Sequence, residues 1–133
     1  AFLMNYSGMS TTLGIGFTKT GSLFPFFAPI LGWLGVFLTG SDTSSNALFC
    51  GMQRSTAQAV GMPPELAVAV NSSGGVTGKM ISPQSISVAT AATGMIGQEG
   101  NLFRFALGHS IAMTLVLCVL TYLQAGPLSF MLP

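Results

Sequence analysis

Residues Phe105–Leu123 read FALGHSIAMTLVLCVLTYL, nineteen positions without a formal charge. A helix that spans a bilayer needs about 20 predominantly apolar residues. Arg104 at the start of the run and Tyr122 near its end suit anchoring at the two interfaces. Lipid is therefore the expected solvent for this element. The other residues agree, because only 5% of the 133 are charged, against roughly 25% in an average soluble domain. Seven formal charges, four basic and three acidic, cannot cover the surface of a water-soluble fold of this size. The net charge of +1 supplies no basic stripe, so nucleic acid is excluded as a partner.

Upstream, Leu23–Thr39 is strongly apolar but contains Pro25 and Pro29. Proline fits the first turn of a helix and disrupts its interior, which places the expected helix start near Pro29. From there to Thr39 is about 16 Å, half of a ~30 Å hydrocarbon core. The chain then becomes polar through Gly40-Ser41-Asp42-Thr43-Ser44-Ser45-Asn46. It resumes a helical composition over Ala47–Val60 and turns at Gly61-Met62-Pro63-Pro64. A half-length helix, a polar tip and a second short helix describe a re-entrant hairpin; a spanning helix followed by an ordinary loop is the alternative.

Glu65–Gly97 carries no charge except Glu65 and Lys79. As one straight helix it would be about 50 Å long, more than a bilayer core requires. Its middle, Asn71-Ser72-Ser73-Gly74-Gly75-Val76-Thr77-Gly78, has poor helix propensity. Gly74 can cap a first half-helix, and Ser82-Pro83 can open a second. The expectation is two half-helices, Glu65–Ser73 and Pro83–Gly97, joined by unwound backbone near the bilayer midplane. Gln98–Asn101 is then a surface turn. Ala1–Phe17 reads as the truncated end of a preceding span, with Thr18–Ser22 as a turn. With neither an initiator Met nor a basic leader, the chain is expected to be an internal cut through a larger protein.

Non-helical backbone at membrane depth leaves N–H and C=O groups unpaired, at several kcal/mol each in hydrocarbon. Transporters tolerate such breaks where half-helix N-termini face anionic groups and freed carbonyls hold ions. The candidate substrate contacts are therefore Ser44, Ser45 and Asn46 in the first break. In and beside the second they are Asn71, Ser72, Ser73, Gly74, Gly75, Lys79, Ser82 and Gln84. Asp42 is the candidate proton-carrying or cation-binding group and Lys79 the candidate counter-charge for an anion, since intramembrane charges are functional by default. An Asp42–Lys79 structural ion pair, or an Asp42 helix cap, is the alternative. His109 fits an interfacial or packed position better than a proton relay.

Enzyme motifs are absent on inspection. Gly74–Met80 resembles a phosphate loop, but Ser73 stands where that motif needs Gly and Met80 where it needs Ser or Thr. Cys50 and Cys118 have no metal or disulfide spacing and read as small packing residues.

The strings NYSGMSTT (Asn5–Thr12), GWLGVFLTGSDTSSNALF (Gly32–Phe49), NSSGGVTGKMISPQSI (Asn71–Ile86) and LFRFALGHS (Leu102–Ser110) closely resemble the bacterial L-lactate permease family. The resemblance covers almost the whole chain and is to the family's C-terminal end. It implies proton-coupled uptake of L-lactate and related 2-hydroxy monocarboxylates, D-lactate and glycolate among them. It also implies a multi-pass protein of the bacterial cytoplasmic membrane, a missing N-terminal part as partner, and no cofactor beyond the co-transported proton. More loosely, the arrangement is similar to one half of the elevator-type carboxylate transporters built from inverted repeats. The expected fold is thus an all-α polytopic membrane protein: a truncated helix (1–17), a re-entrant hairpin (23–60), a broken transmembrane helix (65–97) and a terminal transmembrane helix (103–125). An anion channel, or a non-transporting module that uses its small residues for helix packing, are the competing functions.

Overall fold

Glycine and proline set the boundaries of an all-helical chain. The computed structural model describes Leu3 and residues 6–132, apart from the side chains of Ser10 and Thr11. In chain order it contains α1 (Met9–Thr18), a 3-10 turn (Gly21–Leu23), α2 (Phe24–Thr39), α3 (Asp42–Val60), α4 (Pro64–Lys79), α5 (Pro83–Thr93), α6 (Glu99–Ala125) and a second 3-10 turn (Ser129–Met131). Helices α2, α3 and α4 contact one another, α6 lies against α2 and α4, and α1 lies on α3. The apolar core between α2, α3 and α4 is built from Phe24, Ala28, Met52, Leu66 and Val70.

Two expected boundaries move. Helix α2 starts at Phe24 rather than near Pro29, with Pro25 in its first turn and Pro29 inside it. Pro29 removes only the single bond to the Pro25 carbonyl, one turn from the helix end, where the loss is smallest. Together with its preceding turn, α2 makes a segment Gly21–Thr39 of 19 residues with mean hydropathy 1.7. Its length matches a membrane crossing, so the half-length that argued for a re-entrant arm is not found.

The second correction is larger. Asn71–Gly78, expected to be unwound, is helical, and α4 runs without interruption to Lys79. Gly74 is a buried helix interior position rather than a cap. The reason is tertiary. A Cβ at Gly74 would overlap the Pro29 carbonyl oxygen, one at Gly78 the Trp33 carbonyl oxygen, and one at Gly32 the Asn71 carbonyl oxygen. The glycines let α2 and α4 touch backbone to backbone, and that contact offsets a helix propensity cost of about 1 kcal/mol per glycine. A helix also satisfies its own backbone polar groups, which unwound chain cannot do in lipid.

Both breaks survive in narrower form. The first is Gly40–Ser41: Gly40 takes φ +70°, and the Ser41 hydroxyl accepts from the Ser44 N–H at 3.3 Å to cap α3. Asp42–Asn46 is therefore the first turn of α3, not a loop. The second is Met80–Ser82, where Ser82 caps α5 by accepting from the Ser85 N–H at 3.3 Å and Pro83 follows at the first position, as the sequence predicts. Helix α5 ends at Thr93, short of Gly97, because Gly94 turns left-handed at φ +70°. Helix α6 ends at Ala125, as expected, but starts earlier than 103, so Glu99–Asn101 is helical rather than a turn. Of the expected truncated helix over 1–17, residues 1, 2, 4 and 5 lie outside the described residues, and Leu3, Tyr6 and Met9–Thr18 are helical.

Helix α6 has 27 residues and a mean hydropathy of 1.8. Its buried side is Ser110, Thr114, Cys118 and Thr121, while Ile111, Met113, Val116 and Val119 are exposed. This inverts the water-soluble pattern, in which the hydroxyls would face out. Small polar residues inside and branched apolar residues outside suit a helix whose surroundings are lipid or further transmembrane helices.

Candidate functional site

The spacing of Asp42, Asn46, Cys50 and Gln53 (i, i+4, i+8, i+11) aligns four side chains along one face of α3. That face meets α4 at Asn71 and Ser72. The Gln53 amide donates to the Asn71 Oδ1 at 2.7 Å and to the Ala28 carbonyl at 2.9 Å. Asn71 Nδ2 donates to Asn46 Oδ1 at 2.7 Å, and Asn46 Nδ2 donates to Asp42 Oδ2 at 2.9 Å. The Ser72 hydroxyl reaches the same Asp42 oxygen at 2.9 Å. Gln53 and Asn71 are wholly buried. A continuous polar file thus crosses the helix bundle from the corner at Ser41 to the α2 backbone.

Asp42 Oδ1 is buried and has no hydrogen-bond partner among the described residues, and it rests against Gly75, where a Cβ would overlap it. Glycine at 75 is what makes room for the carboxylate. Lys79 does not pair with Asp42. Its ammonium donates to the Gly40 carbonyl and to Gln84 Oε1 (3.4 Å), and so joins the two breaks across their corners. An ammonium has three donors, so one is left for another acceptor. The N-termini of α3 and α5 both open at these corners, each with a serine cap. The positive ends of the two helices favour an anion there.

The sequence-derived candidates therefore divide. Asp42, Asn46, Asn71 and Ser72 share one network, and Lys79 and Gln84 share the corner. Ser82 is buried as the α5 cap. Ser45 is buried against Gly35 and donates to the Gly32 carbonyl at 3.4 Å, while Gly74 and Gly75 are packing positions. Ser44 and Ser73 are exposed and face away from the network; Ser73 bonds its own helix at the Ala69 carbonyl. His109 is exposed on α6 and sits with Nδ1 3.0 Å from the Phe105 carbonyl.

Gln53 is the member that the sequence reading missed, although its place on the Asp42–Asn46 face was a visible signal. Also missed was a second polar contact that fastens α6. Trp33 Nε1 donates to Ser110 Oγ at 2.8 Å, and Ser110 Oγ donates to the Thr77 carbonyl at 2.6 Å. The Thr77 and Thr114 hydroxyls meet at 2.7 Å. The helical state of Gly74–Lys79 also disposes of the phosphate-loop likeness, because its N–H groups are committed to the helix.

Apolar residues facing outward on α6, glycine-mediated helix contacts and a buried carboxylate–amide file are features of a helical membrane protein. The family model described as L-lactate permease matches residues 1–127, and the chain belongs to that family, a family of transporters and not of enzymes. The L-lactate permease of Bacillus subtilis (strain 168) is 60% identical over 133 residues, all of this chain and 24% of the relative. The glycolate permease GlcA of Escherichia coli (strain K12) is 62% identical over 125 residues, 94% of this chain and 22% of the relative. The L-lactate permease of the same strain is 57% identical over 133 residues, again all of this chain and 24% of the relative. The chain thus spans about a quarter of the length of these relatives. No solved structure matches.

Proposed function

We propose that this chain is the C-terminal portion of a proton-coupled symporter that takes up L-lactate and related 2-hydroxy monocarboxylates across the bacterial cytoplasmic membrane. D-lactate and glycolate belong to the same substrate class. The observation that carries the reading is the meeting of the two breaks, Gly40–Ser41 and Met80–Ser82, under one lysine. Lys79, Gln84 and the first N–H groups of α3 and α5 form the carboxylate-binding part. Asn46, Asn71 and Ser72 lie behind it, next to Asp42, which takes the proton.

A monocarboxylate brings one negative charge, and a co-transported proton makes the loaded step nearly electroneutral. Asp42 suits the proton role on physical grounds. Asn46 and Ser72 both donate to its Oδ2, while its Oδ1, buried against Gly75, has no partner among the described residues and is open to a proton. In this reading α2 and α3 form a helical hairpin about the Gly40–Ser41 corner, α4 and α5 are the halves of a broken helix, and α6 is the terminal span. The segment is one part of an inverted-repeat transporter, and the remainder of the protein completes the cavity.

The test is lactate uptake by the full-length protein in proteoliposomes, with and without an inward proton gradient, together with counterflow. Gradient-driven accumulation and accelerated exchange are expected. Uptake indifferent to the gradient would remove proton coupling, and a lack of accelerated exchange would favour a pore.

A further inference from the structure

The amide file has a direction. Both of its ends accept: the Ala28 carbonyl at one and, when ionised, the Asp42 carboxylate at the other. Between them every amide points its NH2 toward Asp42, in the order Gln53 to Asn71 to Asn46 to Asp42. Amide oxygen and nitrogen are assigned from such networks, and here the two ends fix the assignment. If Asp42 took a proton and donated it to Asn46 Oδ1, Asn46 would turn over. Asn71 would then have to turn, and its NH2 would face Gln53. Gln53 would have to present Oε1 in place of Nε2, and that oxygen would confront the Ala28 carbonyl. The backbone cannot turn with it. Ala28 therefore holds Gln53, and Gln53 holds the file in the arrangement that serves a carboxylate.

Gln53 is also expensive to keep. It is wholly buried, and its Oε1 has no hydrogen-bond partner among the described residues. An apolar side chain of the same length would fill the site without an orphaned carbonyl. What such a residue could not do is direct Asn71. We propose that Gln53 is a positioning residue for Asp42: anchored on the Ala28 carbonyl, it fixes the donor direction of Asn71 and Asn46, so that the file supports the carboxylate form of Asp42 and resists its protonated form. This rests on the assignment of Asp42 as the proton-carrying group.

The titratable groups on the elements surrounding Asp42 are few. On α3 itself they are Cys50, whose thiol contacts Asn46 Oδ1 at 3.5 Å, and the exposed Arg54. On α4 they are Lys79, engaged at Gly40 and Gln84, and Glu65 at the opposite end of that helix. Helix α2 carries none. None of them takes part in the amide file as a donor to Asp42.

The experiment compares pH profiles of lactate uptake by the full-length protein, wild type against Gln53→Met, Asp42→Asn and the double variant. Release of the file in Gln53→Met lets Asn46 turn its Oδ1 toward a protonated Asp42, an acceptor beyond the Ser72 hydroxyl, so the pH at which uptake falls to half moves up. Asp42→Asn flattens the profile, and the double variant is as flat as Asp42→Asn alone. Counterflow at a fixed pH shows that each variant is folded; should Gln53→Met not fold, Gln53→Leu removes the NH2 anchor without adding a titratable group and is read in the same way. A folded Gln53 variant whose profile overlays the wild type overturns the inference and leaves the proton role of Asp42 standing. An Asp42→Asn profile like the wild type overturns both.

Discussion

Asn71 of α4 and Asn46 of α3 join amide to amide at 2.7 Å, and each is bonded again to a neighbour on its other side. Neither residue can be replaced without stranding a third. In Asn71→Leu, Gln53 loses an acceptor and Asn46 a donor within a buried site. The expected cost is about 1–3 kcal/mol for the polar groups left unpaired. Thermal melting of the full-length protein in detergent checks it, and an unchanged midpoint would show that the remaining amides repair the file among themselves.

The α2–α4 contact makes a prediction opposite in sign to helix propensity. Alanine is a better helix former than glycine by about 1 kcal/mol, yet a Cβ at Gly74 or Gly78 would overlap backbone carbonyls of α2. Gly74→Ala and Gly78→Ala are therefore expected to lower the melting midpoint. Gly51→Ala on α3, where a Cβ meets nothing within 4 Å, is expected to hold or raise it. Equal behaviour of all three would mean that α2 and α4 are not in backbone contact.

The same glycines explain why the sequence was legible in one respect and misleading in another. Composition and the uncharged run at Phe105–Leu123 located the long apolar helix α6, and its exposed branched residues follow from that. Ser82-Pro83 carried a local helix-start signal, which tertiary contacts had no reason to override. Asn71–Gly78 carried a local break signal, and there tertiary contacts did override it: only the facing Pro29 and Trp33 carbonyls turn glycine from a helix breaker into a contact residue, and no local window contains them. Gln53 was legible through its register with Asp42 and Asn46. The Lys79–Gly40 contact was not, since 39 residues separate its partners. The substrate class entered through family resemblance, because hydroxyls, amides and a lysine describe a carboxylate and no particular one.

Trp33 and Ser110 tie α6 to α2 and, through the Thr77 carbonyl, to α4. Ser110→Ala removes both the acceptor for Trp33 Nε1 and the donor to that carbonyl. About 1 kcal/mol is the expected loss, given the modest net worth of such bonds. Because the two residues share one hydrogen bond, Trp33→Phe combined with Ser110→Ala should cost less than the sum of the single changes. Strict additivity in the melting data would argue that the indole does not depend on this serine.

Lys79 tests the anion-binding part of the proposal separately from the proton part. Its ammonium is exposed, already satisfies Gly40 and Gln84, and keeps one donor for a substrate carboxylate. Lys79→Gln keeps an amide donor but removes the charge. If the lysine holds substrate alike in every loaded state, the half-saturation concentration for lactate rises about tenfold, equivalent to ~1.4 kcal/mol of binding, with little change in maximal rate. Arg54→Gln, an exposed cation on α3 outside this corner, should leave half-saturation unchanged. Concentration-dependent uptake by both variants separates the cases. A Lys79→Gln protein that saturates like the wild type would confine the lysine to bridging the two corners, and the carboxylate would then have to be held by the N–H groups of α3 and α5 without it.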